Sequence, residues 1–426
     1  MTSRLSSAFI CLLAAGACFF TPLSIHAVHA QDAEVAKALS GLPPEVLKHT
    51  RLAPPVPSVA HFSAKDPLAI AIDFSGRITG DDDVKNRMRY ECGLQALRQG
   101  RNATARELAA QMTDYRAALL LLEIAEKEVR SDRTHADEMV QTAAGLVRLT
   151  KSWQADLILS RLVITGTMLE LDEQTLGIWF KGIKDEETRR MATIGILGLN
   201  AGKTSVFDLA ALKAERDRFG ATKPMPGLLD TARNLFDLAL EHQKSEDPAS
   251  HAKAQGLVNA ALEVLALSNV VRAEVLLEAA ADFWKAGGEE LSQKLFELAE
   301  KAFGAPHEEM ARLNYKLVKL WHLRGRAEMM LPVLEEAEKK ARGLEQMYRP
   351  FAYSWLAASW ELAGNEKHAK ELQLEAMKEA VSNVNPRTGM VGAVHICLSH
   401  ASTGRELSEE VLKLAGKWAQ GSLPGQ

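Results

Sequence analysis

The sequence predicts an all-α protein, built as a right-handed α-solenoid of stacked antiparallel helix pairs. Three observations carry that expectation. Ala and Leu number 63 and 58 of 426 residues, while aromatic residues make up only 6%. Ala and Leu are the strongest helix formers, and neither is β-branched. From residue 84 onward, apolar positions recur at helical spacing in runs of about 14–20 residues with short breaks. Finally, a glycine recurs at Gly287, Gly325, Gly364 and Gly404, at intervals of 38, 39 and 40 residues.

The chain begins with a segment that reads as an export signal. Arg4 is the only charge in residues 1–30, and an apolar run from Ala8 to Phe20 ends near Pro22. That run is shorter than the ~20 residues a helix needs to span a bilayer. Val28, His29 and Ala30 place small residues where a signal peptidase reads them, so cleavage is expected after Ala30. Lipidation at Cys18 is the weaker option, because Ala stands where a lipoprotein signal usually has Leu. Cleavage would leave 50 basic and 55 acidic residues, and would remove Cys11 and Cys18. The remaining Cys92 and Cys397 lie far apart in helical patterns and read as small buried residues. With no later apolar run of 18 residues, the expected location is the periplasm or the exterior. The net negative charge argues against nucleic acid as a partner.

Residues 31–83 hold six of the fifteen prolines, at positions 43, 44, 54, 55, 57 and 67. Proline lacks an amide donor and fixes φ, so this stretch reads as an extended lead. Ile70, Ile72 and Phe74 alternate with small or polar residues, which fits a short strand or an apolar strip laid on the helical body. Asp81, Asp82 and Asp83 suit the start of a helix. Residues 84–420 form the expected repeat domain, and 421–426 a tail.

The context of the glycines repeats with them. Eight residues before the first three lie Ala279, Leu317 and Leu356. Four before them lie Phe283, Trp321 and Trp360, and twelve after them Ala299, Ala337 and Ala376. A glycine ends one helix in a tight turn, an aromatic fills the space between paired helices, and an alanine permits close approach. This register resembles the tetratricopeptide repeat. The segments around Leu356, Ala357, Trp360, Gly364, Ala369 and Ala376 fit best, followed by Ala280, Phe283, Gly287, Ser292, Phe296 and Ala299. The copy at Leu317, Trp321, Gly325, Met330, Leu334 and Ala337 carries Met330 in place of a small residue. Weaker copies surround Gly93, Ala96, Gly100 and Ala105, and then Gly195, Gly198, Gly202 and Ala211. The period exceeds the usual ~34 residues, so the superhelical curvature of that family does not carry over.

Motifs for chemistry fail on inspection. Gly198 to Thr204 has three residues between its glycines where a phosphate loop needs four, so Gly202 reads as a repeat-turn glycine. His307-Glu308-Glu309-Met310-Ala311 lacks the second histidine of a zinc helix. No serine elbow or Cys–His pair can be named, and no cofactor or metal is expected. Asn102-Ala103-Thr104 matches a glycosylation sequon of low specificity.

The resemblance implies that the first helix of each pair lines a binding surface. Arg312, Tyr315, Lys319 and His322 then form one stripe at spacings of 3, 4 and 3, with Trp284 and Lys285 on the neighbouring first helix. An aromatic and basic stripe suits a peptide bearing an acidic group or a free carboxylate. The expected function is an exported, non-enzymatic scaffold for protein or peptide partners. The alternative is a carbohydrate-active or peptidoglycan-associated helical protein of the cell envelope.

Overall fold

The computed structural model describes residues 65–129, 131–203, 209–220, 227–268, 272–302 and 307–420. The expected signal, its cleavage point, the proline-rich stretch before residue 65 and the C-terminal tail lie outside these. Among the described residues there are nineteen α-helices and no strand. None of these helices is long and apolar enough to cross a membrane. The chain divides into two compact units.

The first unit takes in Ala96–Leu235 and Ala260–Asn269. The second takes in Pro55–Gln95, Phe236–Asn259 and Val270–Gln426. In the second lie α1 (Pro67–Arg77) and most of α2 (Asp82–Arg98). The first holds α3 (Asn102–Ala110), α4 (Arg116–Glu128), α5 (Arg133–Leu146), α6 (Ser152–Met168), α7 (Glu173–Gly182), α8 (Glu186–Lys203) and α9 (Leu209–Phe219). Two helices, α10 (Gly227–Gln243) and α11 (Pro248–Ser268), contribute residues to both. The remainder of the second unit is α12 (Ala273–Lys285), α13 (Glu289–Lys301), α14 (His307–Leu323), α15 (Met330–Arg342), α16 (Arg349–Leu362), α17 (Glu366–Val381), α18 (Pro386–Thr403) and α19 (Glu409–Ala419).

In the first unit α4 packs on α3, α5 and α6, and α6 also carries α7 and α8. In the second unit the pairs α12 with α13, α14 with α15 and α16 with α17 pack internally. Their first helices, α12, α14, α16 and then α18, stack in chain order. This is the packing of a helical repeat array, in which each unit buries its face on the next.

The glycine register explains how these pairs turn. Gly287, Gly325, Gly364 and Gly404 all have positive φ, between 67° and 83°. The residue after each glycine donates its amide to the carbonyl five positions earlier. These bonds are Gly288 to Phe283, Arg326 to Trp321, Asn365 to Trp360 and Arg405 to His400, all at 2.9–3.0 Å. That is the six-to-one bond of a Schellman cap, whose left-handed residue is usually glycine. Gly100, at φ 76°, repeats the arrangement with Arg101 bonded to Ala96. Phe283, Trp321 and Trp360 are at most 7% exposed, as are Ala299, Ala337 and Ala376. In the fourth copy the aromatic position is taken by His400, which is fully buried.

Two expectations are corrected. Gly195, Gly198 and Gly202 belong to the interior of α8 and do not form a turn. A Cβ on Gly195 would come within 2.5 Å of the Ile164 side chain, so this glycine serves close helix contact. Ile70, Ile72 and Phe74 belong to helix α1 and not to a strand. Asp66 caps α1 by accepting the Leu68 amide at 3.0 Å, and Pro67 occupies its first turn, where a missing amide costs little. The extended lead therefore gives way to helix before residue 84. The apolar strip is met in part: α1 lays Ile70 and Phe74, with Leu68, each 0% exposed, into a core shared with α18, while Ile72 is half-buried. Phe74 meets Trp418 with ring centroids 5.5 Å apart, and Arg77 donates to the Ala419 carbonyl at 2.8 Å. Asp81 accepts the Val84 amide at 3.1 Å, as an N-cap should.

Candidate functional site

The first helices α12 and α14 bring their facing charges into a ladder. Glu274, Glu278 and Asp282 recur every fourth residue on α12, and Arg312, Lys316 and Lys319 follow one face of α14. Arg312 Nη2 lies 3.3 Å from Glu274 and 3.5 Å from Glu309. Lys316 Nζ is 2.6 Å from Glu274 and also holds Glu278 in a close ion pair. Further along, positive charge accumulates. Among the described residues Lys319, which is exposed, makes no ion pair, while Lys285 reaches Asp282 at 3.5 Å. Burial of its stem, and then repulsion from Lys285 and Lys316, lower the Lys319 pKa; Asp282 and Glu278 oppose the shift. His322 is exposed one turn beyond.

The predicted stripe is thus split in three. Lys285, Lys319 and His322 share an exposed, basic end. Arg312 belongs to the ladder. Tyr315 is 9% exposed and packs on Trp355 of α16, with centroids 5.2 Å apart, and burial raises its phenol pKa. It serves the contact between first helices. Trp284 is half-buried; its indole Nε1 donates to the Leu323 carbonyl at 3.1 Å, and the Arg324 guanidinium stacks 5.1 Å from its ring. Arg324 also lies 4.9 Å from the Phe296 ring and donates to Ser292 Oγ at 2.7 Å. The Ser292 hydroxyl in turn donates to the Ala280 carbonyl at 2.7 Å. This cation–π stack joins repeat residues and leaves Trp284 little face to offer.

A second cluster, in the first unit, escaped the sequence reading. Glu123 and Glu126, on one side of α4, are 4% and 9% exposed. Arg161 of α6 reaches Glu126 at 2.6 Å and Glu123 at 3.4 Å, and the Thr165 hydroxyl donates to Glu126 at 2.7 Å. Burial pushes the Glu123 carboxyl up to about 8, with Arg161 opposing and Glu126 adding to the rise. Asp230 nearby is pushed to about 6 by burial, with its partner Arg233, at 3.2 Å, opposing. Only the spacing of 123 and 126 on one helix face hinted at this; Arg161 and Asp230 come from sequence-distant helices.

Among the described residues no group of three His, Cys, Asp or Glu side chains could hold a metal ion. Cys92 and Cys397 are free and buried. No protein-family model matches the chain, and no curated protein or solved structure matches it either.

Proposed function

We propose that this chain is an exported, non-enzymatic repeat scaffold that binds acidic peptide segments along the first helices of its array. In this reading, cleavage after Ala30 releases it to the periplasm or beyond. Its antiparallel helix pairs stack with the right-handed sense of tetratricopeptide repeats. The observation that carries the reading is the unbalanced end of the α12–α14 ladder. Arg312 and Lys316 are matched by carboxylates, whereas Lys319 has no ion pair among the described residues and is exposed beside Lys285 and His322. A partner carboxylate placed there would relieve lysine–lysine repulsion that the free protein retains.

The test is titration of the full chain with a short glutamate-containing peptide bearing a free C-terminal carboxylate. Lys285→Glu with Lys319→Glu should weaken binding by about tenfold or more, equivalent to ~1.4 kcal/mol. Undiminished binding would remove this face from the reading.

The second reading is a cell-envelope protein acting on carbohydrate. It is favoured by Glu123, whose carboxyl holds its proton at neutral pH beside a second carboxylate, the kind of pair used in glycoside hydrolysis. It ranks behind because Glu126 is already engaged by Arg161 and Thr165, and both glutamates are sealed from solvent. Release of reducing ends from peptidoglycan by the native chain, lost in Glu123→Gln, would reverse this order.

A further inference from the structure

A groove of about 520 Å³ in the second unit is lined by Lys65, by Glu361 of α16, by Glu366, Lys370 and Gln373 of α17, and by Arg405 to Glu410 at the approach to α19. That volume falls among ligand-sized pockets. The charges are unequal: five carboxylates face three cations. Arg405 is held by Glu361, and Lys65 lies 3.8 Å from Glu409. Three carboxylates, Glu366, Glu406 and Glu410, then remain against Lys370 alone.

The carboxylates sit among helix starts and would not by themselves make a site. What sets this groove apart is a buried polar pair left unmet. Gln373 is 4% exposed, and its side-chain Oε1 has no hydrogen-bond partner. The Arg405 side chain is 11% exposed, and its Nη1 also has no hydrogen-bond partner. Leaving a buried acceptor unmet is costly, and leaving a charged donor unmet costs more. The lining of this groove therefore includes an unmet acceptor and an unmet donor, with surplus negative charge around them. The complement is an amide, with its N–H toward Gln373 and its C=O toward Arg405, next to a cation.

We propose that this groove binds a basic peptide segment, its backbone amide held between Gln373 and Arg405 and a lysine or arginine side chain set among Glu366, Glu406 and Glu410. The site is separate from the lysine-bearing face of α12 and α14, and it prefers the opposite charge. The array would then hold an acidic segment at one place and a basic segment at another.

Titration calorimetry on the full chain tests this with three probes: an N-acetylated, C-amidated peptide with two central lysines, the same peptide with two glutamates, and 1,5-diaminopentane. The lysine peptide should bind saturably, the glutamate peptide should not, and the diamine, lacking an amide, should bind about tenfold more weakly. Gln373→Met should weaken the lysine peptide by about tenfold while leaving the thermal midpoint unchanged or raised, since it removes an unmet acceptor. Glu406→Gln with Glu410→Gln, both at exposed positions, should weaken it about fivefold and flatten its salt dependence. Absence of saturable lysine-peptide binding, or unaltered binding by both variants, would overturn the site. Equal affinity for the diamine would overturn the amide's role. The Lys285 and Lys319 variants should leave these titrations unchanged, so the two sites stand or fall separately.

Discussion

Arg161 holds Glu126 at 2.6 Å while standing 3.4 Å from Glu123, so a single guanidinium serves two buried carboxylates. The more distant one, Glu123, keeps its proton to about pH 8 because burial penalises its charge. The unfolded chain ionises the same group near pH 4.3. The stabilising contribution is therefore complete below that value and is lost as pH rises through 8. Glu123→Gln, which mimics the protonated form, should be more stable than the native chain at pH 8 and nearly equal to it at pH 4. The difference should grow by up to about 1.4 kcal/mol per pH unit between those limits. Denaturant midpoints across that range check the slope. Glu126→Ala, by contrast, removes the nearer of the two carboxylates that Arg161 reaches and should cost about 3 kcal/mol at neutral pH.

His400 gives the second unit the opposite response. It takes the place held by Phe283, Trp321 and Trp360 in the other copies, and burial followed by repulsion from Arg405 lowers its pKa to about 3. The unfolded chain binds that proton near pH 6.5. Stability from the neutral ring is therefore full above 6.5 and drains as pH falls toward 3. His400→Phe should remove up to about 1.4 kcal/mol per pH unit of this acid sensitivity. An unchanged acid slope in thermal denaturation would show that other groups set it.

Gly364 has φ of 83°, and a Cβ there would meet nothing within 4 Å. Its requirement is purely conformational. Gly364→Ala should cost roughly 1–2 kcal/mol, and Gly364→Asn clearly less, because asparagine tolerates the left-handed region. Equal losses would point to packing as the constraint.

Cys92 and Cys397 are both 0% exposed, and burial raises the pKa of each thiol. Neither should react with a thiol reagent at pH 8 in the native chain, because the thiolate is the reactive form. In guanidinium, exported protein should release two thiols per chain if cleavage follows Ala30, and four if the whole sequence of four cysteines is retained. This count tests the export reading directly.

The repeat was legible because its turns impose a backbone conformation that few residues other than glycine adopt. Gly287, Gly325, Gly364 and Gly404 therefore stand out without any alignment. Glycine is ambiguous, however, when it serves contact instead of φ. Gly195 faces Ile164 inside α8, and no local signal separates that use from a turn. Helix α1 was readable in principle. Asp66 followed by Pro67 is a helix start, but the alternation of Ile70, Ile72 and Phe74 drew attention to a strand. Spacing puts Arg312, Tyr315, Lys319 and His322 along one helix. What spacing could not show was that α16 covers Tyr315 with Trp355, or that Glu274 claims Arg312. The groove around Gln373 draws on residues from Lys65 to Glu410, so no window of sequence contains it.

The joining of α1 to the end of the chain bears on the order of assembly. Arg77 and Ala419 are bonded across 342 residues, and the Phe74 ring packs against Trp418. Local helix pairs such as α16 with α17 can collapse as soon as they emerge. The core around Leu68, Ile70 and Phe74 must wait for α18. Closure on that scale is entropically slow. Until α18 and Trp418 are in place, this apolar helix lacks its cover. In the export reading proposed above, a chain threaded outward from its N-terminus would reach its new compartment before this core could close, which keeps it passable during transit.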